Sequence, residues 1–208
     1  MSHRVFGAWH DWETARARLA VLAPEVSAGR LGEAVAFAEA AHGDQRRPAG
    51  EPYLEHLLEV VEILVAGAGV HDEDLLVAAV LHDVVEDTDR TAGEVGERFG
   101  ARVEELVAWV TKPRAGADED PAEVRERYLL RLRSAPPEVL RLKLADRFSN
   151  VQRLDTHPRP EKRRSYYRET CRHLVPLAAG VPWFEEAFAR WREAHRHLED
   201  TTPPAPTG

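Results

Sequence analysis

An all-α fold is what this sequence predicts, and three observations predict it. Val, Ile and Leu recur at helical spacing in 57–65, 75–85, 103–110, 124–132 and 139–144. No strand-like alternation persists, and no hairpin dipeptide separates two β-branched runs. Proline and glycine cut the chain into helical lengths.

Local signals place the elements in order. Residues 1–28 read as a short N-terminal helical extension and 29–199 as one domain. Thr91 and Glu94 form a capping-box pair before a short helix that Phe99-Gly100 ends. Residues 113–121, rich in Pro, Gly and Asp, read as an exposed loop. Pro136 and Pro137 suit a helix start, with Ser134 as its cap. Pro158 and Pro160 bracket a turn before a helix over 161–175. A last amphipathic helix carries Trp183, Phe184, Phe188 and Trp191, aromatics that read as core or as the face of a homo-oligomer. The Pro/Thr-rich tail, 200–208, is expected to be disordered.

Composition narrows the function classes. The chain has 208 residues, 43% apolar and 31% charged, which is enough for one sizeable core. A net charge of −8 argues against non-specific nucleic-acid binding. It leaves room for a small anionic substrate held by a local arginine cluster or a metal. No run of eighteen apolar residues suggests a membrane span, and the N-terminus lacks the apolar stretch of a signal peptide. Cys171 is the sole cysteine, which fits a cytoplasmic setting and leaves no thiolate metal cluster.

The segment LHDVVEDT (81–88) carries the most chemistry. Glu86 lies four residues after His82, and Asp87 four after Asp83. A continuous helix would project all four from one face, where carboxylates repel and a bound cation is the usual remedy. Two further positions hold ligand-type residues in motif-like surroundings, His56 and Asp146. Two imidazoles and two carboxylates form a nitrogen–oxygen donor set. With water completing six-coordination, it suits Mn²⁺ or Fe²⁺, whereas Zn²⁺ usually takes four ligands. Each residue also has a plain alternative: His56 as a core histidine, Asp146 in a helical salt bridge with Lys143 or Arg147, Glu86 and Asp87 as a solvated helix end.

The order His56, His82-Asp83, Asp146 resembles that of the HD-domain phosphohydrolases. Three segments, AHGDQRRPAGEPYLEH (41–56), LHDVVEDT (81–88) and KLADRFSN (143–150), are similar to the hydrolase domain of the RelA/SpoT alarmone enzymes. The likeness spans about residues 31–180 and implies a small stand-alone hydrolase on a single HD-domain helical bundle. It implies one bound ion, Mn²⁺ before Fe²⁺ or Zn²⁺, held by His56, His82, Asp83 and Asp146. It gives Glu86 and Asp87 the task of positioning or activating the attacking water. It places Arg47, of the Gln-x-Arg motif, Asn150 and Thr170 at the nucleotide. The implied reaction is removal of the 3′-pyrophosphate of ppGpp or pppGpp. An HD phosphatase acting on NADPH or a nucleoside phosphate, or an inert alarmone-binding module, are the alternatives.

Three departures stand out. Pro48 follows Arg47 where the family usually has Lys, Leu57 follows His56 where it often has Pro, and Ser149 precedes Asn150 where it often has His or Tyr. The first removes a positive charge from the substrate pocket, and Arg46 is a candidate replacement. His42 reads as a helix-packing residue or a direct participant.

Overall fold

The computed structural model describes residues 5–199, and the 200–208 tail lies outside them. All regular elements among these residues are helical, and an isolated β-bridge joins Arg46 to Pro52. The helices are α1 (Trp12–Leu22), α2 (Ala28–His42), α3 (Tyr53–Glu62), α4 (Glu73–Leu81), α5 (Val84–Asp87), α6 (Ala92–Phe99), α7 (Ala101–Val110), α8 (Pro121–Arg131), α9 (Pro137–Val151), α10 (Pro160–Glu169) and α11 (Pro182–Ala194). Short 3₁₀ or π turns continue several of them.

Side-chain caps start many of these helices. Asp11 accepts from the Thr14 amide, Ser27 from Arg30, Asp72 from Leu75 and Asp120 from Ala122, each satisfying an amide that the helix itself cannot. Thr91 and Glu94 make the expected reciprocal capping box, and Gly100, at φ +98°, ends α6. Ser134 does not cap α9. It lies in the 3₁₀ turn Leu132–Ser134 and its hydroxyl donates to Arg131 O, while Pro136 takes the cap position without a side-chain bond.

The core gathers around α3, α4 and α9, which pack on one another. Residues 75–81 of α4 are all buried, so this helix is apolar on every side. Each such Leu or Val contributes about 1.5–3 kcal/mol by leaving water. Residues ahead of α2 join the same core through Phe6, Trp9, Ala15 and Leu19. The π turn Ile63–Gly67 carries α3 onward, and at Gly67 a Cβ would lie 2.6 Å from the Trp183 ring, so only glycine fits. Phe184, Phe188 and Trp191 are fully buried, which settles their place in the core.

The periodic run 75–85 is not one helix. α4 stops at Leu81, a turn holds His82 and Asp83, and α5 follows. The His82 ring supplies a reason: its Nδ1 lies 2.8 Å from Ala79 O, the carbonyl a continuing helix would offer to the Asp83 amide. Asp83 sits at φ −99°, ψ −6°, off ideal helix geometry. Likewise the expected helix 161–175 is α10 followed by the π turn Thr170–Leu174.

Candidate active site

Three helices bring four side chains to one place. α3 supplies His56, the end of α4 supplies His82 and Asp83, and α9 supplies Asp146. Asp83 Oδ2 lies 3.4 Å from His56 Nε2 and 3.0 Å from His82 Nε2. Asp146 Oδ1 lies 3.6 and 3.7 Å from the same two nitrogens. Ligands about 2.1 Å from a shared ion stand about 3 Å apart when adjacent and about 4 Å when opposite. These four carboxylate–imidazole distances fall inside that window; the ligand atoms of His56, His82 and Asp83 all lie within 4.8 Å of one another, and Asp146 approaches the two imidazoles from α9.

The hydrogen bonds of the two imidazoles strengthen the fit. His82 Nδ1 faces a carbonyl, which accepts only, so Nδ1 carries the hydrogen. His56 Nδ1 lies 2.8 Å from Ser149 Oγ, whose own hydrogen points to Glu59 Oε1 at 2.5 Å. Both Nε2 atoms thus keep a lone pair, and both are buried without a hydrogen-bond partner. Buried polar atoms rarely stay unpaired, and two aimed at the same pair of carboxylates fit a divalent cation.

The electrostatics agree. Burial opposes ionisation of Asp83 and Asp146, yet the His82 imidazole beside Asp83 and the Lys143 ammonium beside Asp146 hold both well below the usual carboxylate range. Burial likewise weakens His82 as a base, but the Asp83 and Asp146 charges outweigh it and raise its proton affinity. A proton and a cation therefore compete for this nitrogen. Lys143 Nζ donates to Asp146 Oδ2 at 2.9 Å and Asn150 Nδ2 to Oδ1 at 2.6 Å, which fix that carboxylate.

Glu86 and Asp87 do not share one setting. Asp87 accepts from the Tyr53 hydroxyl at 2.8 Å, and the same oxygen reaches Asp83 at 2.6 Å. Burial and the two carboxylates push the Tyr53 hydroxyl far up, so it stays protonated and its single hydrogen serves two acceptors. Glu86 is turned to Lys112, accepting from its amide at 2.8 Å and its Nζ at 2.5 Å.

Two lobes of a cleft, about 790 and 750 Å³ counting space open to solvent, meet at Tyr53, Asn150 and Tyr166. One is walled by Arg47, Pro48, His157, Pro158 and Tyr166. The other contains Asp83, Asp87 and Asp146 together with Lys112, Arg125, Lys143 and Arg147. Arg47 holds its place through longer contacts, 3.4 Å to Asn150 Oδ1 and 3.5 Å to Glu59 Oε1. Arg46 turns onto its own loop, donating to Gly50 O, and lines neither lobe. Thr170 is fully buried in its π turn and lines neither lobe, so the structure does not bring it to the other candidates. His42 stacks on Tyr53 with ring centroids 4.4 Å apart.

Sequence reasoning missed Tyr53, Glu59, Lys112 and the Arg125–Glu169–Arg147 group. Tyr53 lay within a quoted motif, and its spacing from His56 placed it one turn away. The others meet across 22 to 94 residues, beyond any local pattern.

Residues 34–181 match the protein family described as the HD domain, which is more than half of the chain. The chain belongs to the HD-domain family. Among the relatives of this HD-domain chain, a guanosine-3′,5′-bis(diphosphate) 3′-pyrophosphohydrolase of Aquifex aeolicus (strain VF5) is 42% identical over 177 residues, 83% of this chain but 25% of the relative. The MESH1 enzyme of the same description from Homo sapiens is 42% identical over 133 residues, covering 62% of this chain and 71% of that protein. This chain therefore spans about a quarter of the Aquifex relative's length. A solved structure described as a metazoan orthologue of SpoT that hydrolyses ppGpp superposes with a TM-score of 0.73 at 29% identity, covering 82% of this chain and 97% of that one.

Proposed function

We propose that this HD-domain chain is a divalent-metal phosphohydrolase that removes the 3′-pyrophosphate of ppGpp or pppGpp, releasing GDP or GTP. The observation that carries the reading is the pair of buried Nε2 atoms of His56 and His82 facing Asp83 and Asp146 at the edge of a cleft, one lobe of which sets Lys112 and Lys143 among the acidic side chains. Relatives named for this reaction support the choice of substrate.

His56, His82, Asp83 and Asp146 would hold the ion, and their donor chemistry favours Mn²⁺ over Zn²⁺. When bound, the ion would lower the pKa of a water and neutralise phosphoryl oxygens. Lys112 and Lys143 would offset the charge of the leaving pyrophosphate. Arg47 and Asn150 would hold the nucleotide at the junction of the lobes, with Tyr166 and Pro158 flanking its less polar part. Asp87, held by Tyr53, would take a proton from the attacking water. Glu86 would join it once substrate phosphate draws Lys112 away. The bond between phosphorus and the ribose 3′ oxygen breaks, water supplies the new oxygen, and its protons end on the products.

One observation keeps a second reading in view. With Pro48 after Arg47 and Arg46 turned to its own loop, the nucleotide lobe has less positive charge than the family motif implies. That suits a nucleotide with fewer phosphates, such as NADPH or a nucleoside monophosphate. Assaying Mn²⁺-loaded protein against a nucleotide panel separates the two: pyrophosphate and GDP from ppGpp support the proposal, whereas phosphate released only from the others supports the rival. No turnover of any nucleotide by metal-loaded protein would leave a binding module. The free Cys171 thiol favours a cytoplasmic setting, and no helix among the described residues is long and apolar enough to cross a membrane.

A further inference from the structure

Ser149 is a departure from the family motif that the reaction leaves without a task. It is 2% exposed, and its hydroxyl sits between His56 Nδ1, at 2.8 Å, and Glu59 Oε1, at 2.5 Å. Glu59 is itself buried at 3% exposure, and its second oxygen accepts from Arg153 Nη1 at 2.8 Å. Arg153 also donates to Phe6 O, tying the arrangement to the N-terminal segment. That segment is anchored in turn by three consecutive amides, of Gly7, Ala8 and Trp9, which all donate to Glu62 Oε2.

The order of donors follows from counting hydrogens. A carboxylate bound to an arginine has none to give, so the Ser149 hydrogen goes to Glu59. Ser149 Oγ then accepts, and His56 Nδ1 must donate. The hydrogen is held on Nδ1, and the Nε2 lone pair faces Asp83 and Asp146. Little water reaches these buried groups to offer another partner.

We propose that Ser149 and Glu59 are positioning residues that fix the His56 tautomer and ring orientation for metal binding, with Arg153 holding Glu59 in place. The inference rests on the metal-centre reading above. It assigns a role to a Glu59–Ser149–His56 relay in which neither Glu59 nor Ser149 is itself a metal ligand. Arg47 leans on the same Glu59 oxygen at 3.5 Å, so the relay also borders the nucleotide lobe.

Titration of metal-free protein with Mn²⁺, following the resonance of free Mn²⁺, tests this without turnover. Ser149→Ala should bind Mn²⁺ about 10- to 100-fold more weakly than wild type, the usual cost of losing a ligand's outer partner. Ser149→Thr, which keeps the hydroxyl, should restore most of the affinity. Glu59→Gln should fall between, because an amide can donate to the serine and relax the tautomer. Thermal melts of the metal-free proteins separate this from a packing defect, since packing loss lowers melting temperature without a matching loss of affinity. Wild-type affinity in folded Ser149→Ala would overturn the relay while leaving the metal centre intact. If Ser149→Ala does not fold, unchanged affinity in Glu59→Gln overturns it. Failure of wild-type protein to bind Mn²⁺ would remove the metal centre and the relay together.

Discussion

Two clusters of buried charge lie within one cleft region, and they are built on opposite principles. In one, Glu169 accepts from Arg125 Nε and Nη2 at 2.5 and 2.8 Å and from Arg147 Nη2 at 2.6 Å. Both of its carboxylate oxygens are bonded, and two guanidinium groups balance its charge. In the other, His56, His82, Asp83 and Asp146 crowd together while the two Nε2 atoms have no hydrogen-bond partner. The first cluster is complete as protein and reads as structure. The second leaves its two Nε2 atoms to a proton or a cation, and it is the one we propose to be functional. Both clusters are rich in titratable groups; what separates them is whether each polar atom has its partner.

The sharpest test of that contrast removes one member of the second cluster. Asp83→Asn, which keeps size and removes charge, or His82→Ala should abolish Mn²⁺ binding and turnover together. Metal content and hydrolysis of ppGpp, measured on the same sample, check this. Retained metal in both variants would mean that the carboxylate and imidazole are not its ligands.

Next in size are the two acidic neighbours. Asp87→Asn and Glu86→Gln should keep the metal and the fold while turnover falls by roughly two to four orders of magnitude, as expected for loss of general acid–base help. Because Glu86 is paired with Lys112 and Asp87 is not, the Asp87 variant should suffer more. Near-normal kcat in both would return them to a solvated helix end.

Arg47→Ala should lower kcat/KM on ppGpp by about one to two orders of magnitude with metal content unchanged, since a charge-assisted hydrogen bond contributes roughly 1.5–3 kcal/mol. An effect confined to protein stability would show that Arg47 serves only its contacts to Glu59 and Asn150.

Glu169→Gln should change metal affinity least and stability most. Burial would raise the Glu169 pKa, but Arg125 and Arg147 more than offset it and hold it at about 2 against 4.5 when unperturbed. A carboxylate with a depressed folded pKa stabilises the fold above the unfolded value and loses that contribution as pH falls. Its share, at most about 3 kcal/mol, is therefore present above pH 4.5 and is lost as pH falls toward about 2. Denaturant unfolding of wild type and variant between those limits should converge at the acid end. A constant difference across the range would show that the Arg125–Glu169–Arg147 group contributes by packing alone.

The helical class was legible because α3, α4 and α9 repeat apolar residues at helical spacing, and the capping box at Thr91 announced α6 without outside help. The interruption at His82-Asp83 was not, because it depends on a side chain capturing the Ala79 carbonyl, which no periodicity records. The four candidate ligands could be read as residue types within motifs, and the structure brings all four together. Their orientation could not: which nitrogen of each imidazole is bare depends on Ser149, Glu59 and a backbone carbonyl, one of them 93 residues from the ring it serves. Thr170, named by its motif, is buried in its π turn and lines neither lobe of the cleft.

The most direct measurement is a crystal structure of the protein grown with Mn²⁺, with anomalous scattering recorded to locate the ion. One peak is expected, within bonding distance of Nε2 of His56 and His82 and of carboxylate oxygens of Asp83 and Asp146, with Glu169 still held by its two arginines. A peak elsewhere, or none in well-ordered protein at saturating Mn²⁺, would contradict the claim that these four residues form a metal centre.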